Sequence, residues 1–318
     1  MRAAEGGTKS ELAKRLGVSR SGLYYRPKIP DKDEQLRLKI EQVMIANPGY
    51  GYRRAAWKLG INPKRSKRVM NKFNLKPARR AKSPRKKADE GNDSSRYPDI
   101  LRRFSPIEPD IVWVSDFTYI WFQGRYYYLV TVLDYYTGVL LGFNISQTHD
   151  TSFVRVAIER AIKEAGRVPE YFHSDQGSEY VSYVIVTWLE AQGVVISKSP
   201  KGSPWRNGSQ ESFFGRFKVE FGDFSRFDSV SEFCEEINRM MFYFTHVRIK
   251  NRLKMSPAQF RKEWFAKYSM GAKVTPRVPV LSASSYPHTH STTDNGGSAV
   301  DIWITAGHPT ESECVIVV

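Results

Sequence analysis

The sequence predicts an α/β fold, a mixed sheet with helices on its faces, preceded by a separate all-α region suited to nucleic acid. Three observations predict it. From about residue 102 the apolar stretches run as three hairpin-linked strands, then helix, strand, helix, strand, helix. That alternation builds a sheet covered by helices. The first third is helical in period and holds the charge: residues 1–97 contain 26 of the 49 Lys and Arg but 9 of the 33 Asp and Glu. The net charge of +16 on 318 residues therefore sits in the N-terminal region, and a concentrated basic module points to nucleic acid. Finally, Asp116, Asp175 and Glu211 stand in telling settings within the α/β part.

In chain order, Ser10 is expected to cap a helix carrying Leu12, Ala13 and Leu16, with Gly17 ending it and Ser19 capping a second. Helix, tight glycine turn and second helix is helix-turn-helix grammar, and it would turn Arg20, Ser21 and Tyr24 toward DNA. A helix over 31–46 ends at Asn47-Pro48-Gly49. Another starts at Gly51 and includes Arg53 and Arg54, with Trp57 and Leu59 as core candidates. A third starts at Asn62-Pro63 and carries Lys64, Arg65, Lys67 and Arg68 beside Val69, Met70 and Phe73. These cations are further candidate DNA contacts. Residues 1–76 thus form the basic helical region. Residues 77–101, rich in Lys, Arg, Pro and Ser, form a linker.

A domain over 102–268 follows, with strands expected at 111–122, 126–133 and 139–145, the first two joined by a turn at Gln123-Gly124-Arg125. Asp150 caps a helix that Gly166 closes. A strand over 170–174 leads to Asp175, a helix covers about 181–191, and Val194-Val195-Ile196 is a short strand. The loop with Lys201, Trp205, Arg206 and Asn207 precedes a helix from about Gly208 to Phe221. An aromatic beside an arginine can enter a DNA end by stacking and phosphate contact, and Lys201 and Lys218 are further phosphate candidates. Residues 230–247 form an amphipathic helix, and Pro257 opens a closing helix. The tail from 269 to 318 shifts to Ser, Thr, Pro, His and Gly and has no assigned role.

Asp116 lies inside the apolar run Ile111-Val112-Trp113-Val114-Ser115-Asp116-Phe117. A carboxylate in a doubly covered strand is costly unless paired or metal-bound. Asp175 ends the strand after the first crossover, where α/β sheets build sites. Several acids brought together repel, and divalent cations remove the repulsion. On the last helix, Phe213, Phe214, Phe217 and Phe221 share one face, with Glu211, Gly215 and Lys218 along its edge. Periodicity alone leaves Glu211 divided between a metal ligand and an ordinary surface residue. His173 fits either a phosphate donor or a packed strand residue, and Asp134 is expected to shape its turn. Two cysteines give neither a metal spacing nor a disulfide framework. No apolar run approaches the ~18 residues of a membrane span, and the N-terminus has no apolar signal region.

Four motifs resemble the catalytic subunits of bacterial insertion-sequence transposases of the retroviral-integrase-like DDE superfamily, in particular the second-frame (OrfB) product of two-frame elements. They are Tyr50-Gly51-Tyr52-Arg53-Arg54, Trp113-Val114-Ser115-Asp116-Phe117-Thr118-Tyr119, His173-Ser174-Asp175-Gln176-Gly177-Ser178-Glu179-Tyr180 and Asn207-Gly208-Ser209-Gln210-Glu211. The 35 residues between Asp175 and Glu211 suit the superfamily. The Tyr-Asn pair usual before the closing Arg248 reads Phe244-Thr245 here.

The resemblance implies a ribonuclease-H-like fold and two Mg²⁺ ions, replaceable by Mn²⁺, held by Asp116, Asp175 and Glu211. It implies a polynucleotidyl transferase that cuts and joins DNA at element ends. The implied partners are the terminal repeats, target DNA, further copies of the chain on DNA and the upstream-frame helix-turn-helix protein as a frameshift fusion. Location would be cytoplasmic, on the nucleoid when DNA-bound, with no membrane. A DNA-binding protein without catalysis and a nuclease without end specificity are the competing readings. The basic region fits each of them, and the three acids favour the transferase.

Overall fold

A computed structural model describes residues 8–24, 29–79, 97–103, 105–199 and 207–268. The chain divides into two units. The first draws on Met1–Lys87, Glu211–Asp223 and Arg248–Ser256, and the second on Ala88–Gln210, Phe224–Val247 and Pro257–Val318. The first unit therefore takes two later segments of the chain as well as the basic N-terminal region. The expected linker, in large part, and the tail lie outside the described residues.

The first unit opens with α1 (Lys9–Arg15). Its cap is Thr8, not the expected Ser10. Thr8 and Glu11 form a reciprocal capping box that satisfies two end donors. Ala13 is buried, whereas Leu12 and Leu16, expected inside, are exposed. Ser19 Oγ accepts the Gly22 N–H at 3.1 Å and starts a single 3₁₀ turn, Gly22–Tyr24, where a full second helix was expected among these residues. Then come α2 (Ile29–Ala46), α3 (Tyr52–Leu59) and α4 (Pro63–Lys72), the last capped by Asn62 with Pro63 in its first turn. Leu36, Ile40, Ala55, Val69 and Met70 form their core, with Leu59 packed against it. Buried Asp33 on α2 receives both forks of Arg68 and the Lys72 ammonium from α4.

In the second unit, β1 (Val112–Phe122), β2 (Arg125–Asp134), β3 (Leu140–Ser146), β4 (Tyr171–Ser174) and β5 (Val195–Lys198) form one sheet in the order β3-β2-β1-β4-β5. The first three strands are antiparallel neighbours, and β4 and β5 run parallel to β1. This antiparallel meander joined to parallel crossovers is the ribonuclease-H-like arrangement. The β1–β2 turn falls at Gln123-Gly124, both left-handed, as a two-residue hairpin requires.

Asp150 caps α5 (Thr151–Ala165) by accepting the Phe153 N–H. The helix crosses β3 so closely that a Cβ on Gly142 would lie 2.1 Å from the Ala157 carbonyl oxygen, so only glycine fits there. The expected helix at 181–191 is two helices, α6 (Ser178–Val181) and α7 (Tyr183–Glu190), separated by extended Ser182. Phe153, Ala157, Ile158, Ala161, Ile185 and Leu189 from α5 and α7 pack on Trp113, Val130, Val132, Phe172 and Ile196 of the sheet. Phe233 of α9 (Val230–Phe242) stacks on Phe122 at 4.4 Å. A π-turn, Tyr243–Val247, holds buried Phe244 and Thr245. In α10 (Pro257–Tyr268), Arg261 reaches back to Asp110 with both forks, at 2.9 and 2.8 Å. Asp134 shapes the β2–β3 turn as expected, accepting the Thr137 and Asp110 N–H groups at 2.6 and 2.7 Å. Between the sheet and α9 in sequence runs α8 (Gly208–Phe221).

Candidate active site

β1 and β4 pair in parallel, with Val114 opposite His173 as the last row of the ladder. Asp116 and Asp175 each follow two residues later. Asp116, within β1, and Asp175, just beyond the end of β4, thus lie the same two residues past one shared row. Both are half-buried. Asp116 accepts the Phe117 N–H at 2.8 Å, and Asp175 accepts the Gly177 N–H at 3.0 Å. Hard carboxylate oxygens of this kind suit a divalent cation such as Mg²⁺.

Tyr180 lies beneath this pair. Its hydroxyl is 2.9 Å from Ser115 Oγ and is fully buried. Burial drives its pKa well above the usual tyrosine value, and the charges of Asp116, Asp175 and Glu179 push the same way. A neutral phenol is thus locked under a strongly negative corner.

Lys198 is the buried cation of that corner. It is 1% exposed and donates to Ser174 Oγ at 2.9 Å and to the Tyr180 carbonyl at 2.8 Å. Burial lowers its pKa to about 7, against the opposing pull of Asp175. His173 is buried too, bonded through Nδ1 to Ser197 Oγ at 2.8 Å. Burial lowers its pKa to about 4, so it is neutral at pH 7. It is a packed strand histidine, and its place inside the sheet gives it no route to a phosphate. Glu179 pairs with His149, which stacks near Phe117 and Tyr128.

Two buried amides fix the start of α8, and one of them, Gln210, was not a candidate in the sequence. Gln210 is fully buried; its Nε2 donates to the Val114 and Thr131 carbonyls at 2.7 and 3.2 Å, and its Oε1 accepts Thr131 Oγ1 at 2.9 Å. Asn207 donates to the Ser115 carbonyl at 3.2 Å. Its assignment as a loop contact to DNA is therefore corrected: it is 4% exposed and anchors the helix to β1. The available signal was two amides three residues apart at a helix start, which share one face. Glu211, the next residue, is exposed on α8 and belongs to the first unit. Among the described residues, no three His, Cys, Asp or Glu side chains gather closely enough to hold a metal ion.

The candidate DNA contacts divide by environment. Arg20, Ser21, Arg53, Lys64, Arg65, Lys67 and Lys218 are exposed, and Arg54 is half-buried. Arg68 is exposed too, and its guanidinium also pairs with buried Asp33, joining α4 to α2. Lys201, Trp205, Arg206 and the Tyr24 side chain lie outside the described residues.

The chain matches the family described as Integrase core domain over residues 106–204, and a second Integrase core domain family over 211–265. Residues 3–28 match the helix-turn-helix of the Fis family of bacterial regulatory proteins. A putative transposase, InsK, of insertion element IS150 from Escherichia coli K12 is 29% identical over 80% of this chain and 94% of its own length. A putative transposase of IS986/IS6110 from Mycobacterium tuberculosis is 30% identical over 59% of this chain and 72% of its own. The chain belongs to the insertion-sequence transposases with an integrase core. Among solved structures, the catalytic core of HTLV-2 integrase in complex with magnesium covers 49% of this transposase and 99% of itself, at 16% identity and a TM-score of 0.39. The reading of the N-terminal region of this transposase as a helix-turn-helix agrees with the Fis-family match. No helix among its described residues is long and apolar enough to cross a membrane.

Proposed function

We propose that this transposase cuts and joins DNA at the ends of an insertion element by metal-dependent phosphoryl transfer, with Asp116, Asp175 and Glu211 as its three acids. The observation that carries the reading is the placement of Asp116 and Asp175 two residues beyond one parallel row of β1 and β4. The family implies Mg²⁺, and the chemistry of the donors fits it: hard carboxylate oxygens of Asp116 and Asp175 beside a phenol kept neutral. When bound, such ions activate the attacking oxygen and neutralise charge on the phosphate.

The chain's own residues supply the rest. Ser115 and Tyr180 hold the floor of the corner. Lys198 ties Ser174, next to Asp175, to the Tyr180 backbone. Asn207 and Gln210 fix the helix that carries Glu211 by bonds to the carbonyls of Ser115 and Val114. The exposed cations of α3 and α4 hold the duplex by its phosphates without reading its sequence. Copies of the chain on DNA, and the upstream-frame protein, complete the proposed partners.

The test is an end-joining assay with purified protein, Mg²⁺ or Mn²⁺, and labelled DNA bearing the element's ends, alone and with the fused upstream-frame protein. Joining that requires the ends and is lost in Asp175→Asn and Glu211→Gln, with DNA binding retained, is the expected result. Joining by Glu211→Gln at the parent rate would remove Glu211 from the site.

A further inference from the structure

The first unit contains a cavity of about 610 Å³ whose walls include Arg54, Arg216, Arg248, Glu220 and Glu211. Its charges do not balance. Arg248 and Glu220 have side chains only 3% exposed and form a bidentate pair, with Nε at 3.1 and 2.9 Å from the two carboxylate oxygens. That pair engages one of the two acids that line the cavity, Glu211 being the other. Arg216 bonds through Nε to Ser212 Oγ at 3.2 Å. Arg54 lies over the Tyr50 ring at 4.9 Å and gives one fork to the Gly49 carbonyl. Its other nitrogen, Nη1, is buried without a hydrogen-bond partner among the described residues.

An unmatched buried guanidinium N–H costs free energy unless an acceptor arrives. Burial first, and then the neighbouring Arg248 and Arg216 charges, lower the Arg54 pKa to about 10 against the pull of Glu220. Arg216 is lowered by burial and then by Arg248. The guanidiniums of Arg54, Arg216 and Arg248 thus outnumber the two carboxylates, Glu220 and Glu211, in a space large enough for a tetrahedral anion. Arg forks match phosphate oxygens in geometry as well as charge.

We infer that this cavity is a seat for a backbone phosphate of DNA, gripped by Arg54 and Arg216 while Arg248 stays with Glu220. The inference rests on the reading of this chain as a DNA-joining transposase. Because Glu211 lines the same cavity, a strand seated there runs past the third acid. The seat is thus a positioning device for the strand, distinct from the exposed cations of α4.

The experiment measures DNA affinity by fluorescence anisotropy in EDTA, so that no joining occurs, across a series of KCl concentrations. Arg54→Gln and Arg216→Gln are each expected to weaken binding about tenfold and to flatten the slope of log affinity against log salt by about one. Arg54→Lys, which keeps charge but loses the fork, is expected to restore the slope and only part of the affinity. Because Arg54 also holds the Gly49 carbonyl, Arg216→Gln decides the case if Arg54→Gln unfolds. Parent affinity and parent slope in Arg216→Gln would overturn the seat. Inorganic phosphate supplies the second arm. Thermal protection of the parent by phosphate over chloride at equal ionic strength, lost in Arg216→Gln while DNA affinity holds, would assign the cavity to a free anion and overturn the DNA seat. Asp175→Asn separates the two proposals: it should lose joining and keep the parent salt slope. Arginine effects on binding in a protein that joins nothing would keep the seat and sink the joining reading.

Discussion

Gln210 Nε2 donates to the Val114 carbonyl at 2.7 Å, two residues before Asp116, while Gln210 Oε1 accepts the Thr131 hydroxyl at 2.9 Å. One buried amide thereby ties the start of α8 to β1 and β2. Gln210→Leu keeps the bulk and removes the bonds, leaving the Thr131 hydroxyl and the two carbonyls buried without this partner. Each such loss costs about 1–3 kcal/mol, so a fall of at least about 3 kcal/mol in urea unfolding is expected. Strand joining should drop with it, and duplex affinity should hold, because the cations of α3 and α4 are untouched. Parent stability and joining in Gln210→Leu would refute this anchoring role.

Gly49 is set by a close approach. A Cβ there would lie 2.0 Å from Glu220 Oε1, and Glu220 is pinned by Arg248. Gly49→Ala must displace the carboxylate or the backbone, and displacing one partner of a buried pair strands the other. A loss of about 2–4 kcal/mol follows, on the scale of overpacking and broken buried pairs. Gly51→Ala is the control: its Cβ would meet only Pro77 Cγ at 3.8 Å, an ordinary contact. Equal urea midpoints for the two variants would show that Glu220 yields freely.

The order of sheet strands and the caps at Asp150 and Asn62 were legible because each rests on local chemistry: period, turn residues and side-chain acceptors. Asp116 and Asp175 stood out as candidates because a carboxylate within or at the end of an apolar strand has few explanations. The role of Gln210 was not, since its bonds reach 96 residues back to Val114, and polar residues at a helix start ordinarily face water. The Arg54–Arg216–Arg248 cluster was hidden likewise, because its members come from segments joined only by folding. The pairing of Arg68 with Asp33 was hidden because a basic helix face looks the same whether it meets phosphate alone or a buried aspartate as well.

Lys198 gives a pH dependence with a defined sign. Its folded pKa is about 7 against an ordinary 10.5, so between these values the unfolded chain binds more protons. Stability from this group therefore rises with pH from about 7 toward 10.5, by at most about 1.4 kcal/mol per pH unit. Lys198→Met removes the titration. In EDTA, urea unfolding at pH 7, 8 and 9 should show a shallower rise in stability for the variant than for the parent. Identical pH slopes would mean that Lys198 keeps an ordinary pKa in the fold.

Arg68 and Lys67 are neighbours on one basic helix, and the structure assigns them different work. Asp33 is 1% exposed and takes the Arg68 forks at 2.7 and 2.5 Å and Lys72 Nζ at 3.1 Å. The Arg68 hydrogen bond is the leading cause that holds the Asp33 pKa down, at about 2 rather than 3.8. A depressed carboxylate contributes stability above its unfolded pKa and loses it as pH falls toward its folded one. Asp33→Asn should therefore be less stable than the parent at neutral pH, and the difference should shrink between pH 4 and 2. Arg68→Ala should lower the thermal midpoint and leave the salt slope of DNA binding close to the parent's. Lys67→Ala, on the exposed side of the same helix, should do the reverse, keeping the midpoint and reducing the slope by about one. A reduced slope in Arg68→Ala at an unchanged midpoint would return Arg68 to the DNA-contacting face and leave Asp33 to Lys72 alone.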